Sequence, residues 1–444
     1  MTVTTRFAPS PTGTLHVGNL RTALHNWMFA KAQGGRFLLR IDDTDRARSE
    51  ERHVDSIRAD LAWLGLVPDG EERQSARFDR YEARFAEMVD AGRVYPAYET
   101  AQELELKRKI LLGRGLPPVY DRAALALSDA DRAKLEAEGV RPHWRFRLDH
   151  DAPIEWDDLV RGHQRFDSAT MSDPVIRRAD GSWLYLFPSV VDDMDMGVTH
   201  VVRGEDHVSN TAAQLQMFAA LGSNPPAFAH EALLTGSEGK LSKRLGSLGA
   251  DHFRESGIEP QALVALLARI GTSDPVEPFV DPAPLIASFD FARFGRAPAR
   301  FDEAELAQLN ARIVHQLGFD AVADRLSGGM TSAAWEAIRP NLATVAEAAD
   351  WWRVVEGPID PAELSPEDRV YLAQAADVAA GIDWAGDPWH ALTGALKEAT
   401  GRKGKPLFLP LRLALTGRAH GPDMTALLPL IGREAALARL RVAG

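Results

Sequence analysis

Apolar positions along the chain recur with the periods of helices and strands. Leu20, Ala23, Leu24, Trp27 and Met28 fall at i, i+3, i+4, i+7 and i+8, one face of a helix. A short strand and a Pro/Gly turn precede it, and Gly34-Gly35 closes it. Arg36-Phe-Leu-Leu-Arg-Ile41 then has the length of a buried strand, and Val54, Ile57, Leu61 and Leu64 make a second helical stripe. Strand, helix, strand, helix is the rhythm of a parallel sheet covered by helices. From about residue 95 to 178 the rhythm breaks into polar helix-like pieces (103–112 and 129–138) and irregular text, which reads as an insertion. Strand signals resume at 183–191 and 198–203. The next helix has Thr211-x-x-Gln214 as its expected capping box and Gly222 as its stop.

Beyond residue 245 the character changes. Pro260 and Gly271 bracket a helix with Leu263, Leu266, Leu267 and Ile270 on one face. Pro275, Pro278, Pro282 and Pro284 read as a stiff connector. Leu306, Leu309, Ile313 and Leu317 resume helical spacing, and helices dominate to the C-terminus. The expectation is an α/β head in two halves (1–94 and 179–245), an α+β insertion (95–178), a helical region (246–315) and an all-α tail (316–444).

Length and composition narrow the function. A chain of 444 residues suits about three domains. Lys+Arg number 51 against 63 Asp+Glu, a net charge of −12, which speaks against a polybasic nucleic-acid coat but leaves room for a local basic groove. With no cysteine, disulfides, thiolate metal sites and catalytic thiols are excluded. No apolar run nears the roughly 18 residues of a spanning helix, and residues 1–13 contain no apolar core of signal-peptide length. A cytoplasmic protein with no membrane association is expected.

Two segments carry chemistry. In Pro9-Ser-Pro-Thr-Gly-Thr-Leu-His-Val-Gly-Asn19 a strand ends, the backbone turns, and a helix begins near Gly18. Helix N-termini aim unpaired N–H groups and a positive dipole end at anions, His16 adds a donor, and Gly18 lets a nucleoside approach the backbone. Alone, this pattern is better described as a plain turn with a capping histidine. Gly239-Lys-Leu-Ser-Lys-Arg244 is a short basic loop whose Lys240, Lys243 and Arg244 could neutralise a polyphosphate.

The pair resembles the two signatures of class I aminoacyl-tRNA synthetases, His16-Val-Gly-Asn19 as the HIGH motif and Lys240-Leu-Ser-Lys-Arg244 as KMSKS. Further segments resemble the glutamyl-tRNA synthetases: Arg6-Phe-Ala-Pro-Ser-Pro-Thr-Gly13, Leu39-Arg-Ile-Asp-Asp-Thr-Asp45, Val190-Val-Asp-Asp193, Val202-Arg-Gly-Glu-Asp-His207 and Pro410 to Gly421. The resemblance spans nearly the whole chain. It implies a Rossmann-like catalytic head, an acceptor-binding insertion, a stem-contact region and an anticodon-binding tail. It also implies ATP-dependent ligation of L-glutamate to tRNA-Glu through glutamyl-adenylate, with transfer to the 2′-hydroxyl of the terminal adenosine. A monomer is expected, with tRNA-Gln open as a second substrate.

By the same resemblance His16, Lys240, Ser242 and Lys243 would be catalytic. His16, Gly18, Asn19, Asp206, Lys240 and Lys243 would hold ATP, which brings Mg²⁺ with it. Arg6, Ala8, Ser10, Asp42, Tyr185 and Arg203 would form the glutamate pocket, with Arg6 and Arg203 as carboxylate partners and Asp42 taking the ammonium. Two positions depart from the family: Asp42 stands where Glu is common, and Ser189 where some members have Asn. Members with zinc in the insertion build it on Cys-x-Cys and later ligands. Here the stretches read Tyr95-Pro-Ala-Tyr-Glu-Thr100 and Tyr120-Asp-Arg-Ala-Ala-Leu125, so no structural zinc and no other resident metal is expected.

Between Gly401 and His420 stand five basic residues and no acid: Arg402, Lys403, Lys405, Arg412 and Arg418. In a tail that the family uses for anticodon recognition, they are candidates for phosphate contacts. Trp351-Trp352 could stack on bases or pack between helices, and Glu356, Asp360, Glu363, Glu367 and Asp368 read as a solvated acidic face. Rival readings fit less well. A glutaminyl-tRNA synthetase has β-barrel anticodon domains, a glutamyl-queuosine-type paralogue lacks the tail, and a nucleotidylyltransferase needs neither insertion nor tail. A tRNA-binding paralogue without activation would not need His16, Lys240 and Lys243.

Overall fold

A fully buried strand, β1 (Thr4–Phe7), organises the head. In this computed structural model, residues 2–236, 248–360 and 362–444 are described. Strand β1 pairs in parallel with β2 (Arg36–Ile41), Thr4 opposite Arg36, and β2 pairs in parallel with β3 (Gly70–Arg73). Parallel pairs need crossovers, here α1 (Val17–Ala32) and α2 (Glu51–Trp63), with α3 (Phe78–Asp90) following β3. Val17, Leu20, Ala23, Leu24 and Met28 of α1 are buried, the face that the spacing predicts.

The insertion is α+β. Strands β4 (Val94–Ala97), β5 (His143–Phe146) and β8 (Val175–Arg177) form an antiparallel sheet, and β6 (Ile154–Asp158) and β7 (Gly162–Phe166) form a separate hairpin. Helices α4 (Ala101–Gly113) and α5 (Asp129–Ala137) begin at capping boxes, Thr100 with Glu103 and Ser128 with Asp131.

The second half of the head corrects two expectations. The apolar run at 183–191 is not a strand but enters helix α6 (Leu186–Asp195), which is buried continuously from Phe187 to Asp193, its polar positions Ser189, Asp192 and Asp193 facing buried polar side chains instead of solvent. Strand β9 (His200–Gly204) then crosses over through α7 (Val208–Ala220) to its parallel partner β10 (Ala227–Glu231). Thr211 and Gln214 lie inside α7 rather than at its start, and both side chains bond a buried guanidinium instead of capping the helix. The Thr199 N–H donates to Thr4 O at 2.9 Å, joining the two halves.

A short parallel pair, β11 (Leu234–Thr235) with β12 (Ala299–Arg300), and helices α8 (Ala250–Glu255), α9 (Pro260–Arg269) and α10 (Ala283–Ala287) follow. The chain divides into two compact units, residues 1–253, 264–277 and 281–302 in one and 254–263, 278–280 and 303–444 in the other. The second contains α11 (Glu303–Val314), α12 (Ser332–Ile338), α13 (Ala348–Glu356) and α14 (Pro366–Gly381). It ends with α15 (Pro388–Thr400), α16 (Lys405–Thr416), α17 (Met424–Ile431) and α18 (Arg433–Ala443). Ile313, Trp335, Leu372, Leu392 and Leu411 lie in its core. Among the described residues no helix is long and apolar enough to cross a membrane.

Candidate active site

The C-terminal ends of β1 and β9 open onto one cleft of about 550 Å³. Parallel sheets hold ligands at this edge, where crossovers leave a crevice. Its lining brings together Arg6, Ala8, Ser10, His16, Gly18, Asn19, Tyr185, Arg203 and Asp206, drawn from both halves of the head. Lys240, Ser242, Lys243 and Arg244 lie outside the described residues.

At one end His16 caps α1. Its Nδ1 accepts from the Gly18 N–H at 3.2 Å, and its own N–H donates to Asn19 Oδ1 at 3.3 Å. Because Nδ1 is an acceptor here, the neutral ring carries its proton on Nε2. Burial lowers the His16 pKa, which favours that neutral form. The histidine therefore caps the helix and still offers a donor. A Cβ on Gly18 would come within 3.1 Å of the His16 ring, so this glycine makes room for the histidine itself.

The other end holds the charged groups. Arg6 is tied to Asp193, Nε to Oδ1 at 3.0 Å. Arg40, fully buried, donates to both oxygens of Asp42 (2.7 and 3.1 Å), to Asp193 at 2.7 Å and to Ser189 Oγ at 3.0 Å. Asp42 and Ser189 do not line the cleft but stand behind it on this guanidinium. Arg203 differs from the other two arginines. Its bonds run to His230 Nε2, the Tyr185 hydroxyl, Thr211 Oγ1 and Gln214 Oε1, all neutral acceptors. Burial lowers its pKa, as expected of a cation lacking a bonded anion. A cleft with a helix N-terminus at one end and a buried cation short of an anion at the other suits a substrate carrying phosphate and carboxylate together.

Sequence and structure comparisons show the family of the chain. A family model described as tRNA synthetases class I (E and Q), catalytic domain, matches residues 2–308, and an anticodon binding domain model matches 305–443. Glutamate–tRNA ligase 1 of Rhizorhabdus wittichii is 72% identical over 441 residues, 99% of each chain. Glutamate–tRNA ligase 2 of Sphingopyxis alaskensis is 70% identical over 444 residues, 100% of each chain. The chain belongs to the glutamate–tRNA ligase family. A crystal structure of a glutamate tRNA ligase from Elizabethkingia meningosepticum in complex with its amino acid superposes with a TM-score of 0.88 at 28% identity, covering 100% of this chain and 99% of that one. Aminoacylation of tRNA is the reaction of the family, and the class I head with a helical anticodon domain is its architecture.

Two further regions singled out by the sequence take definite forms here. In the insertion, the stretches around Tyr95 and Tyr120 hold phenols and carboxylates. The Tyr95 hydroxyl donates to Asp173 and the Tyr120 hydroxyl to Glu99, each at 2.7 Å. Arg122 bonds Asp173, and Arg145 lies 3.8 Å from the Tyr120 ring centroid. Burial pushes both phenol pKa values up, so they remain proton donors, and this donor set does not fit zinc.

In the tail, Arg402 turns inward, to Asp368 at 2.7 Å and Glu367 at 3.1 Å, with its guanidinium 4.3 Å from the Tyr371 ring. Those two acids pair with Arg402, Glu367 while remaining exposed to solvent. Arg412 bonds Pro422 O, Arg418 lies over Trp351 at 4.5 Å, and Lys403 and Lys405 are exposed. Trp351 and Trp352 are buried, the packing alternative.

Proposed function

We propose that the chain ligates L-glutamate to tRNA-Glu at the expense of ATP. The observation that supports this most strongly is Arg203, a buried guanidinium on the cleft wall whose bonded partners are all neutral. The substrate side-chain carboxylate would supply the missing anion, and Tyr185 would hold the guanidinium toward it. Arg6 would orient the α-carboxylate, and the Asp42 carboxylate, held by Arg40 behind the cleft wall, would draw the ammonium by its charge rather than by direct contact.

In the first step an α-carboxylate oxygen attacks the ATP α-phosphorus, the bond to the bridging oxygen breaks, and pyrophosphate leaves. In the second, the 2′-hydroxyl oxygen of the terminal adenosine attacks the carbonyl carbon, loses its proton and displaces AMP. Neither step needs a protein nucleophile, so the work is positioning and charge stabilisation. His16 Nε2–H and the α1 N-terminus would meet phosphate oxygens, with Lys240, Ser242 and Lys243 serving the same phosphates. Gly18, Asn19 and Asp206 would face the nucleoside. Magnesium bound with ATP would neutralise part of the polyphosphate charge and keep much of its own water.

The insertion would bind the acceptor end, residues 246–315 the stem, and the tail the anticodon, by one cytoplasmic copy of the chain. Charging assays with labelled glutamate on purified tRNA-Glu and tRNA-Gln test the reading. Glutamate should be attached to tRNA-Glu and glutamine to neither tRNA; attachment of glutamine would refute it.

A further inference from the structure

We propose that Asp158 and His230 are positioning residues that fix the Arg203 guanidinium, and that the insertion supplies the carboxylate of this relay. The inference rests on the reading of Arg203 as partner of the substrate side chain. Arg203 Nε–H donates to His230 Nε2 at 3.1 Å, which requires that nitrogen to be bare. On the other side of the ring, Nδ1 lies 2.5 Å from Asp158 Oδ2. A carboxylate can only accept, so it holds the imidazole proton on Nδ1 and leaves Nε2 free for the arginine. Neither the His230 nor the Asp158 side chain has any solvent exposure. Burial lowers the His230 pKa, with Asp158 opposing the fall and the Arg203 and Arg161 charges adding to it, which favours the neutral ring.

Asp158 ends β6 in the insertion, not in the sheet that carries Arg203. Its Oδ1 accepts from the N–H groups of Val160, Arg161 and His230, at 3.1, 2.9 and 3.1 Å. Leu159 N–H donates to Phe228 O at 2.9 Å, and the Arg161 side chain pairs with Glu205. The turn of the β6–β7 hairpin is thereby bonded to β10 and to the segment that follows Arg203. An amide at position 158 would present N–H groups to Nδ1 and drive the imidazole proton to Nε2. Two donors would then face each other, His230 Nε2–H and Arg203 Nε–H; the Nε2–H would turn to Thr211 Oγ1, 3.0 Å away, and the guanidinium would lose its registration.

The test is steady-state charging of tRNA-Glu by the full chain, with KM for glutamate and for ATP measured separately. Asp158→Asn and His230→Phe should each raise KM for glutamate by about tenfold or more, as loss of a buried bond to a charged group does. KM for ATP and kcat should stay within about twofold. Either change made on Arg203→Ala should add little further loss. An unchanged glutamate KM, or glutamate and ATP KM rising together, would overturn the relay. Should His230→Phe fail to fold, Asp158→Asn carries the same two outcomes. If Arg203→Ala itself leaves the glutamate KM unchanged, the reading of Arg203 falls and the relay with it. If Arg203→Ala raises it and the relay variants do not, only the relay falls.

Discussion

Arg40 and Asp42, two residues apart at the end of β2, form a two-point ion pair almost wholly shielded from water, Nε to Oδ1 at 2.7 Å and Nη2 to Oδ2 at 3.1 Å. Arg40 also holds Asp193, which holds Arg6, so one buried guanidinium links Asp42 to the arginine on the cleft wall. Removing the Arg40 charge would leave Asp42 without its bonded cation in the interior, whereas removing the Asp42 charge leaves Arg40 still paired with Asp193.

The pair predicts a pH dependence. Burial pushes the Asp42 carboxyl up to about 6, with Arg40 opposing the rise. Asp42 is thus ionised at pH 7.5, and its charged fraction falls toward tenfold per pH unit below about 6. If the carboxylate draws the substrate ammonium, KM for glutamate rises as pH falls from 7 to 5. Neither the substrate side chain, near 4.3, nor its ammonium titrates across that range. Asp42→Asn should weaken glutamate binding at pH 7.5 and flatten the profile; a flat wild-type profile would remove Asp42 from the ammonium site.

His16 should separate stability from rate. Its cap is worth about 1 kcal/mol, so His16→Ala should lower stability by about that much in a denaturant melt. Loss of the Nε2 donor to a developing phosphate charge should cost about 10²–10³ in kcat. A rate loss no larger than the stability loss explains would leave His16 as a cap alone.

The tail prediction divides residues that look alike in sequence. Lys403→Ala with Lys405→Ala should flatten the salt dependence of tRNA binding, by about 0.7 in log–log slope for each phosphate no longer neutralised, with the fold unchanged. Arg402→Ala should instead lower the melting temperature, since it breaks bonds to Asp368 and Glu367. Equal salt slopes for the lysine variant and the wild type would place tRNA elsewhere.

Metal analysis of the purified chain should give far below one zinc per chain, with charging activity intact after chelation and restored Mg²⁺. A stoichiometric zinc signal would contradict the phenol–carboxylate account of the insertion.

How much of the fold is legible in the sequence follows from how locally each feature is encoded. Helix α1 is readable because its buried face repeats every three to four residues. Helix α6 is not, because its first turns are apolar but for Ser189 and its later polar positions, Asp192 and Asp193, are buried against other side chains. Thr211 and Gln214 match a capping box by spacing alone, while their real partner, Arg203, is fixed by the tertiary fold. The Asp158–His230 pair joins residues 72 positions apart, and neither side chain stands in a recognisable motif. The insertion strands, three to five residues long, are too short to show alternation. Motif residues on contiguous turns, such as His16, Gly18 and Asn19, are legible because their neighbours in sequence are also their neighbours in space.

Activation of glutamate by ATP in the cleft is the step on which the roles of Arg203, His16 and Asp42 all depend. Its measurement is glutamate-dependent exchange of pyrophosphate into ATP, run with and without tRNA-Glu. Exchange in the presence of tRNA-Glu should require glutamate, should not be supported by glutamine, and should be lost in Arg203→Ala. No glutamate-dependent exchange with tRNA-Glu present would contradict these roles.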